Sequence, residues 1–325
     1  MQNQIKRTLV TLASLILSSS ILTTVNAATD FPKKPVTMTV AYSAGGGTDT
    51  AARLIAKYVE PYLGQRLIIQ NKPGAGGQIG FTSLAKAKND GYKIGFINLP
   101  SLQMVKMLRK NVPYEISDFE AIANIQLDPV VIAVKADSKY QTLQQLLDDA
   151  KKFPGKINIG GDGPQSNNQL QLVVAEDKLD VKFNFVPFNG SGPAVTATLG
   201  SQVIASIPSA SSAANHVRNG KLRVLAVFSN TRFPYLPSVP TIKEATGITV
   251  PPVGASIRGI AVPKGMSAEN KLLLENAFAK VMQDEKFIAH ADKIGMPLMY
   301  MNAKDFDAYL KTSSKSVKQY IDLIK

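Results

Sequence analysis

Apolar and polar positions along this chain switch repeatedly from a two-residue period to a helical one, with glycine at the switch. Val36 to Ala41 is an apolar run of strand length that meets Gly45-Gly46-Gly47. From about Thr50 to Leu63, apolar Ala51, Leu54, Ile55, Tyr58 and Val59 fall at helical spacing, and Gly64 stops the helix. Leu67 to Gln70 predicts a second strand. The loop Asn71 to Gln78 opens a helix reaching about Lys88, closed by Asn89-Asp90-Gly91, and Lys93 to Asn98 predicts a third strand before a helix starting at Leu99-Pro100-Ser101.

The same grammar returns after Val130. Strands are predicted over Val130 to Val134, Ile157 to Gly160, Phe183 to Val186, Val203 to Ile207 and Leu222 to Phe228. Helices are predicted over Leu143 to Lys152, from Ser166 through Ala175, and from Ser191 to about Leu199. Strands alternating with helices favour doubly wound sheets with ligand groups at the strand C-terminal ends. The fold class expected is therefore α/β: two lobes, each a doubly wound, mostly parallel sheet, with a ligand cleft between them. The proline-rich segment Thr231 to Pro252 is a connection. Gly259 to Val262 is a strand, Ser267 caps a long helix to about Gln283, and helices around Phe287 to Ile294 and Ala303 to Ile324 are expected to cover the first lobe. The lobes are placed at 28–128 plus 253–325 and at 129–252.

The first residues read differently. Lys6 and Arg7 precede an apolar run from Leu9 to Leu22, and Val25-Asn26-Ala27 has small residues suited to signal peptidase, so 1–27 is read as a secretory signal cleaved near Ala27. As a membrane span it is short and polar. A periplasmic, freely diffusing monomer is expected, not itself membrane-inserted. The chain has 325 residues, 45% of them apolar, no cysteine and two histidines, His216 and His290, which leaves a transition metal without ligands. Net charge is +13, and +11 once Lys6 and Arg7 are gone. That excess welcomes a small anion. Scattered lysines with no arginine-rich run argue against nucleic acid.

Four loop-to-helix starts, near Gly45, Gly76, Ser166 and Ser191, could each offer unpaired N–H groups and the positive end of a helix dipole to an anion. Gathered around one cleft they would hold a small di- or tricarboxylate without any arginine. Gly74-Ala75-Gly76-Gly77-Gln78-Ile79-Gly80 has the spacing G-x-G-x-x-x-G, which is not the dinucleotide fingerprint, and no Gly-Lys-Ser/Thr closes a phosphate loop. No cofactor is expected. Ser43, Ser101, Ser191 and Ser209 are candidate nucleophiles, yet none lies in Gly-x-Ser-x-Gly and neither histidine is placed as a partner. Asp49 reads first as an aspartate that fixes its own loop, with Arg53 one turn on as its pair. Gly46 and Gly77 are where a bulky replacement is expected to harm binding far more than stability.

Phe31-Pro32-x-Lys34-Pro35-Val36, Ala44-Gly45-Gly46-Gly47-Thr48-Asp49-x-x-Ala52-Arg53, Asn71-Lys72-Pro73-Gly74-Ala75-Gly76-Gly77-x-Ile79-Gly80 and Asp90-Gly91-Tyr92 resemble the substrate-binding proteins of tripartite tricarboxylate transporters, also called Bug proteins. Ala150-Lys151-x-x-Pro154-Gly155-Lys156-Ile157-Asn158, Val186-Pro187-Phe188-x-Gly190-Ser191-Gly192-Pro193-Ala194 and Leu236-Pro237-x-Val239-Pro240-Thr241-x-x-Glu244 match as well. The resemblance runs from about residue 31 to the end. It implies a two-lobed type II periplasmic-binding fold that closes on a carboxylated ligand and delivers it to a membrane permease, with no chemistry. The implied ligand-binding residues in the first lobe are Tyr42, Ala44, Gly45, Gly46, Thr48, Asp49, Gly76, Gly77, Gln78 and Ser101. From the second come Ser166, Asn167, Gln169, Asn189 and Ser191.

Three places, four residues in all, depart from the family pattern. Gln169 stands where a histidine is frequent, Ile204 where an aspartate is common, and Ile257-Arg258 where a tryptophan-aromatic pair is frequent. Arg258 is read as a surface residue before a pocket cation. A ligand-responsive sensor partner and an exported serine hydrolase using Ser101 or Ser191 are the alternative functions.

Overall fold

Eleven strands and twelve α-helices follow one another over residues 31–324, which the computed structural model describes; the expected leader lies outside the described residues. Strands β1 (Val36–Val40), β2 (Leu67–Asn71) and β3 (Lys93–Leu99) alternate with helices α1 (Gly47–Leu63), α2 (Gln78–Ala85) and α3 (Ser101–Leu108). This is the predicted βαβαβ unit, and its strands pair in parallel, β2 and β3 flanking β1.

Strand β4 (Phe119–Asp128) was not expected. Its polar residues Glu120, Asn124, Gln126 and Asp128 break the apolar run, yet most of it is buried. It carries the chain out of the first sheet, and after Pro129 strand β5 (Val130–Lys135) opens the second. The second sheet contains β6 (Asn158–Gly161), β7 (Asn184–Pro187), β8 (Ala205–Ser206) and β9 (Leu222–Phe228), with helices α4 (Leu143–Lys152), α5 (Asn167–Leu179), α6 (Ser191–Leu199) and α7 (Ala210–Arg218). Helix α8 (Ile242–Thr246) lies in the proline-rich connection, after which β10 (Ser256–Pro263) rejoins the first sheet. Helices α9 (Ala268–Val281) and α10 (Glu285–Ile294), strand β11 (Leu298–Met301) and helices α11 (Ala303–Thr312) and α12 (Ser314–Lys318) finish the chain.

Strand order is β11-β4-β10-β3-β1-β2 in one sheet and β7-β6-β8-β5-β9 in the other. The sheets are mixed, where mostly parallel ones were expected. In the first, β10 runs antiparallel to both β3 and β4, and in the second, β5 runs antiparallel to β8 and β9. The cause is the double crossing: β4 and β5 carry the chain outward, so β9 and β10 run back against them.

Both faces of the first sheet are covered. Val36, Met38, Ile55, Val59, Phe278 and Phe287 bring α1, α9 and α10 together on one face, while Phe81, Leu84, Leu102, Val105, Phe306 and Leu310 bring α2, α3 and α11 to the other. Residues 314–324, expected on the first lobe too, cross to the second. Val317 and Ile324 enter its core beside Leu170 and Val174 of α5.

Candidate functional site

Helix starts divide into two groups. Thr142, Ser166, Thr241, Ser267, Asp284 and Asn302 cap α4, α5, α8, α9, α10 and α11 through their own side chains. By contrast α1, α2, α3, α6 and α7 begin at Gly46, Gly77, Pro100, Gly190 and Ser209 with no side-chain cap. Among the described residues, the amides of Thr48 and Asp49, in the first turn of α1, have no hydrogen-bond partner. Donors left open in this way are what an anion needs.

These starts meet along one seam between the lobes. The Ser43 amide donates to the Asn189 carbonyl at 3.0 Å, and the Gly47 amide to Ser212 Oγ at 2.7 Å. Ser101 Oγ pairs with Asn167 Oδ1 and accepts the Asn167 amide at 3.0 Å, while Asn167 Nδ2 donates to the Leu99 carbonyl at 3.0 Å. Glycine makes the approach possible. A Cβ on Gly76 would lie only 2.4 Å from the Pro164 carbonyl, and one on Gly192 3.0 Å from the Gly46 amide. The lobes are closed on each other.

Arg109, just past α3, spans this seam. Its guanidinium donates to Ala75 O at 2.8 Å and Gln78 Oε1 at 2.7 Å in the first lobe, then to Pro164 O at 3.0 Å and Gln165 Oε1 in the second. Four acceptors on a rigid fork suit arginine and not lysine.

Beneath the seam lies a polar interior that the sequence did not reveal. Arg258 on β10 is registered against Asn98 on β3 and Gln126 on β4. It is 2% exposed, so the surface reading of Arg258 is wrong. Its Nη1 donates to Gln126 Oε1 at 3.0 Å and to Asp128 Oδ2, forming an ion pair whose carboxylate is fully buried. Asp128 also accepts the Ser211 amide at 3.1 Å and the Ser211 hydroxyl. Arg258 Nε and Gln126 Nε2 are buried without a partner. Their burial follows from the strand that was missed. Positions 124, 126 and 128 repeat every second residue, the one available signal that β4 presents a polar face.

Asp162, half-buried just past β6, approaches this interior from the second lobe. Ser191 Oγ donates to its Oδ1 at 2.6 Å, and its other oxygen receives no hydrogen bond among the described residues. Burial pushes its pKa up to about 6; the Ser191 hydroxyl and nearby Arg258 pull it down, and Asp128 adds to the rise. Tyr42, buried near Ser101, has its phenol raised far above its ordinary value, chiefly by burial.

The other expected site residues fall into place around this core. Asp49 accepts from the Gly45 amide at 3.0 Å, Arg53 Nε at 2.9 Å and Asn71 Nδ2 at 2.9 Å, the loop-fixing arrangement. Burial raises its pKa, and those three donors outweigh it and hold the carboxyl below its usual range. Thr48 accepts from Asn98 Nδ2 at 3.0 Å. Gln169, in the place of the family histidine, turns back to cap its own loop by accepting the Gln165 amide at 2.6 Å, and Ser166 caps α5. Ala44, Gly45 and Asn189 are on the exposed rim, whereas Gly76, Gly77, Ser101, Ser166, Asn167 and Ser191 are buried. Neither histidine meets a candidate nucleophile. His290 pairs with Tyr58 at 3.0 Å, and Ser191 with Asp162. Among the described residues no cluster of three or more His, Cys, Asp or Glu could hold a metal, and no helix is long and apolar enough to cross a membrane. On the hinge side, a cavity of about 470 Å³ is lined by Leu127, Pro129, Phe228, Ile257, Tyr309, Val317 and other uncharged residues. An uncharged lining gives an anion little to bind.

Residues 51–325 match the family described as tripartite tricarboxylate transporter family receptor, TctC. The chain belongs to this family. It is 30% identical over 285 residues to the BugT protein of Bordetella pertussis, covering 87% of this chain and 86% of that one. In structure it is similar to the periplasmic binding protein BugD, with 29% identity, a TM-score of 0.83, and coverage of 90% and 97% of the two chains. It is also similar to a TctC solute-binding protein from Polaromonas solved without ligand, with 34% identity, coverage of 90% and 99%, and a TM-score of 0.62. TctC receptors are solute-binding proteins, and the two-lobed α/β fold is that of the periplasmic binding proteins this chain is similar to.

Proposed function

We propose that this TctC receptor captures a small organic carboxylate by closing its lobes and delivers it, as a monomer in the periplasm, to the membrane permease of a tripartite tricarboxylate-type transporter. Secretion would follow from the leader over 1–27. The observation that carries the ligand class is the set of uncapped helix starts, with free amides at Thr48 and Asp49, converging on the seam. A helix N-terminus stabilises a carboxylate by roughly 0.3–1 kcal/mol, up to ~2 kcal/mol when partly buried. Charge-assisted hydrogen bonds add roughly 1.5–3 kcal/mol each. A micromolar Kd needs about −8 kcal/mol, within reach of two such helix starts and three such bonds.

Thermal-shift screening of the processed protein against mono-, di- and tricarboxylates and amino acids should raise the melting temperature with at least one. Silence across the panel, confirmed by calorimetry, rejects the reading. Arg109 gives a second test. Arg109→Met removes the two bonds that reach Pro164 and Gln165, so ligand should leave faster, with Kd weakened about tenfold, mostly through the off-rate. Stopped-flow dissociation measures this, and an unchanged off-rate would show that Arg109 is not a latch.

A further inference from the structure

The guanidinium of Arg258 is engaged at one end only. Its Nη1 donates to Gln126 Oε1 and Asp128 Oδ2, whereas Nε and Nη2 have no hydrogen-bond partner among the described residues. These two nitrogens form the side edge of the fork, where two N–H bonds run parallel and can grip both oxygens of one carboxylate. Arg258 is 2% exposed, so water does not satisfy this edge in the closed state. Donors left open in such a place carry a desolvation cost that a bound anion offsets. Gln126 Nε2, level with Arg258 on β4, is likewise buried without a partner.

This edge lies under the start of α1. A Cβ on Gly47, the first residue of that helix, would be 3.1 Å from Arg258 Nη2, and Asn98, level with Arg258 on β3, donates from Nδ2 to Thr48 Oγ1 at 3.0 Å. The open amides of Thr48 and Asp49 follow directly on the residue that the guanidinium reaches. Their cover comes from the other lobe. Ser212 Oγ accepts the Gly47 amide at 2.7 Å, Ser209 Oγ would lie 2.8 Å from the Gly47 Cβ, and Ser211 bonds Asp128 through its amide and hydroxyl. Opening the lobes lifts these three serines away and presents the edge to the cleft. Resting on the carboxylate reading above, we propose that Arg258 is a direct ligand contact. One carboxylate lies side-on against Nε and Nη2, and Gln126 Nε2 with the amides of Thr48 and Asp49 completes its donors.

The role of Asp128 then has two parts. It neutralises the guanidinium from the Nη1 end, so the pair carries no net charge, and it ties that pair to Ser211 of the closing lobe. A neutralised fork selects by shape more than by charge. Two parallel donors match the two acceptor oxygens of a carboxylate, whereas the primary amide of the same acid offers one acceptor and sets its NH2 donor against an N–H. The acid should therefore be strongly preferred over its amide. Asn98 Oδ1, the remaining buried open atom of this row, is an acceptor, and it takes a water or a hydroxyl or amine of the ligand.

The experiment is calorimetry of the processed protein at pH 7 with acetate, benzoate, succinate, malate, citrate and glutamate, and with the primary amide of each acid that binds. The same titrations are made on Arg258→Lys and on the double variant Arg258→Met with Asp128→Asn. Arg258→Lys keeps the charge without the parallel edge, and the acid should bind it about tenfold or more weaker. In the double variant the loss should reach about 100-fold, and the preference for acid over amide should shrink with it. Melting curves report folding, and the double variant leaves no stranded charge, so it answers even where Arg258→Lys is unfolded. An arginine that only supports the fold would leave the acid-to-amide ratio unchanged. Unaltered affinity and an unaltered ratio in the folded double variant overturn the contact while the carboxylate reading stands. Binding of none of the acids by the unaltered, folded protein overturns both.

Discussion

Arg258→Ala should cost about 3–5 kcal/mol of unfolding free energy, the usual penalty for removing one partner of a buried ion pair. Asp128 is fully buried and keeps only the Ser211 amide and hydroxyl once the guanidinium is gone. Gln126 loses the donor at its Oε1 as well. The cost arises from the stranded carboxylate more than from the lost attraction. The double variant Arg258→Met with Asp128→Asn, which removes both charges, should therefore recover more than half of the loss, although the single Arg258→Met should not. Arg258→Lys keeps the charge but not the fork, and should fall between. Urea unfolding of the four variants and the unaltered protein at pH 7 measures this. A single-variant loss below about 1 kcal/mol would place the pair in solvent-like surroundings and contradict its burial.

Much of the architecture was legible because it rests on local chemistry. Val36 to Ala41, the glycines at 45–47 and the helical spacing after Ala51 specify a strand, a tight turn and a helix through three independent rules. The seam itself was legible in outline, since glycine and serine at four helix starts are visible in the sequence. What was hidden depends on pairing across long separations. Strand β4 has too many polar residues for an isolated apolar run, and they become a buried row only when β10, more than 120 residues later, lies beside it. Arg258 reads as surface for the same reason, because its partners Gln126 and Asp128 come from that unseen strand. The mixed sheets follow from where the chain crosses, which no local pattern encodes. Gln169 looked like a ligand contact because of the family histidine, but a glutamine there can reach its own loop amide.

Gly76→Val should abolish measurable ligand binding, raising Kd by about 100-fold or more, while lowering the ligand-free melting temperature by only a few degrees. Gly76 has φ of 60°, a left-handed conformation that costs an L-residue about 1–2 kcal/mol, and the first added carbon would lie 2.4 Å from the Pro164 carbonyl of the other lobe. A backbone carbonyl cannot swing aside as a side chain does. The clash exists only when the lobes are shut, so the variant folds and stays open. Excluding the closed state by about 3 kcal/mol is what a 100-fold loss requires. Gly155→Ala is the control for strain alone: its φ is 70°, but an added carbon meets nothing within 4 Å, so it should lose a little stability and no affinity. The structure also revises which glycines make clean probes. At Gly77 an added carbon would strike the Phe81 ring at 2.7 Å within its own lobe, so its replacement damages the fold and the site together. At Gly46 a methyl meets the Gly192 amide at an ordinary 3.5 Å, and only larger side chains should interfere. Calorimetry and melting curves on Gly76→Val, Gly77→Val and Gly155→Ala separate these outcomes. Wild-type affinity in Gly76→Val would mean that ligand is held without the closed seam.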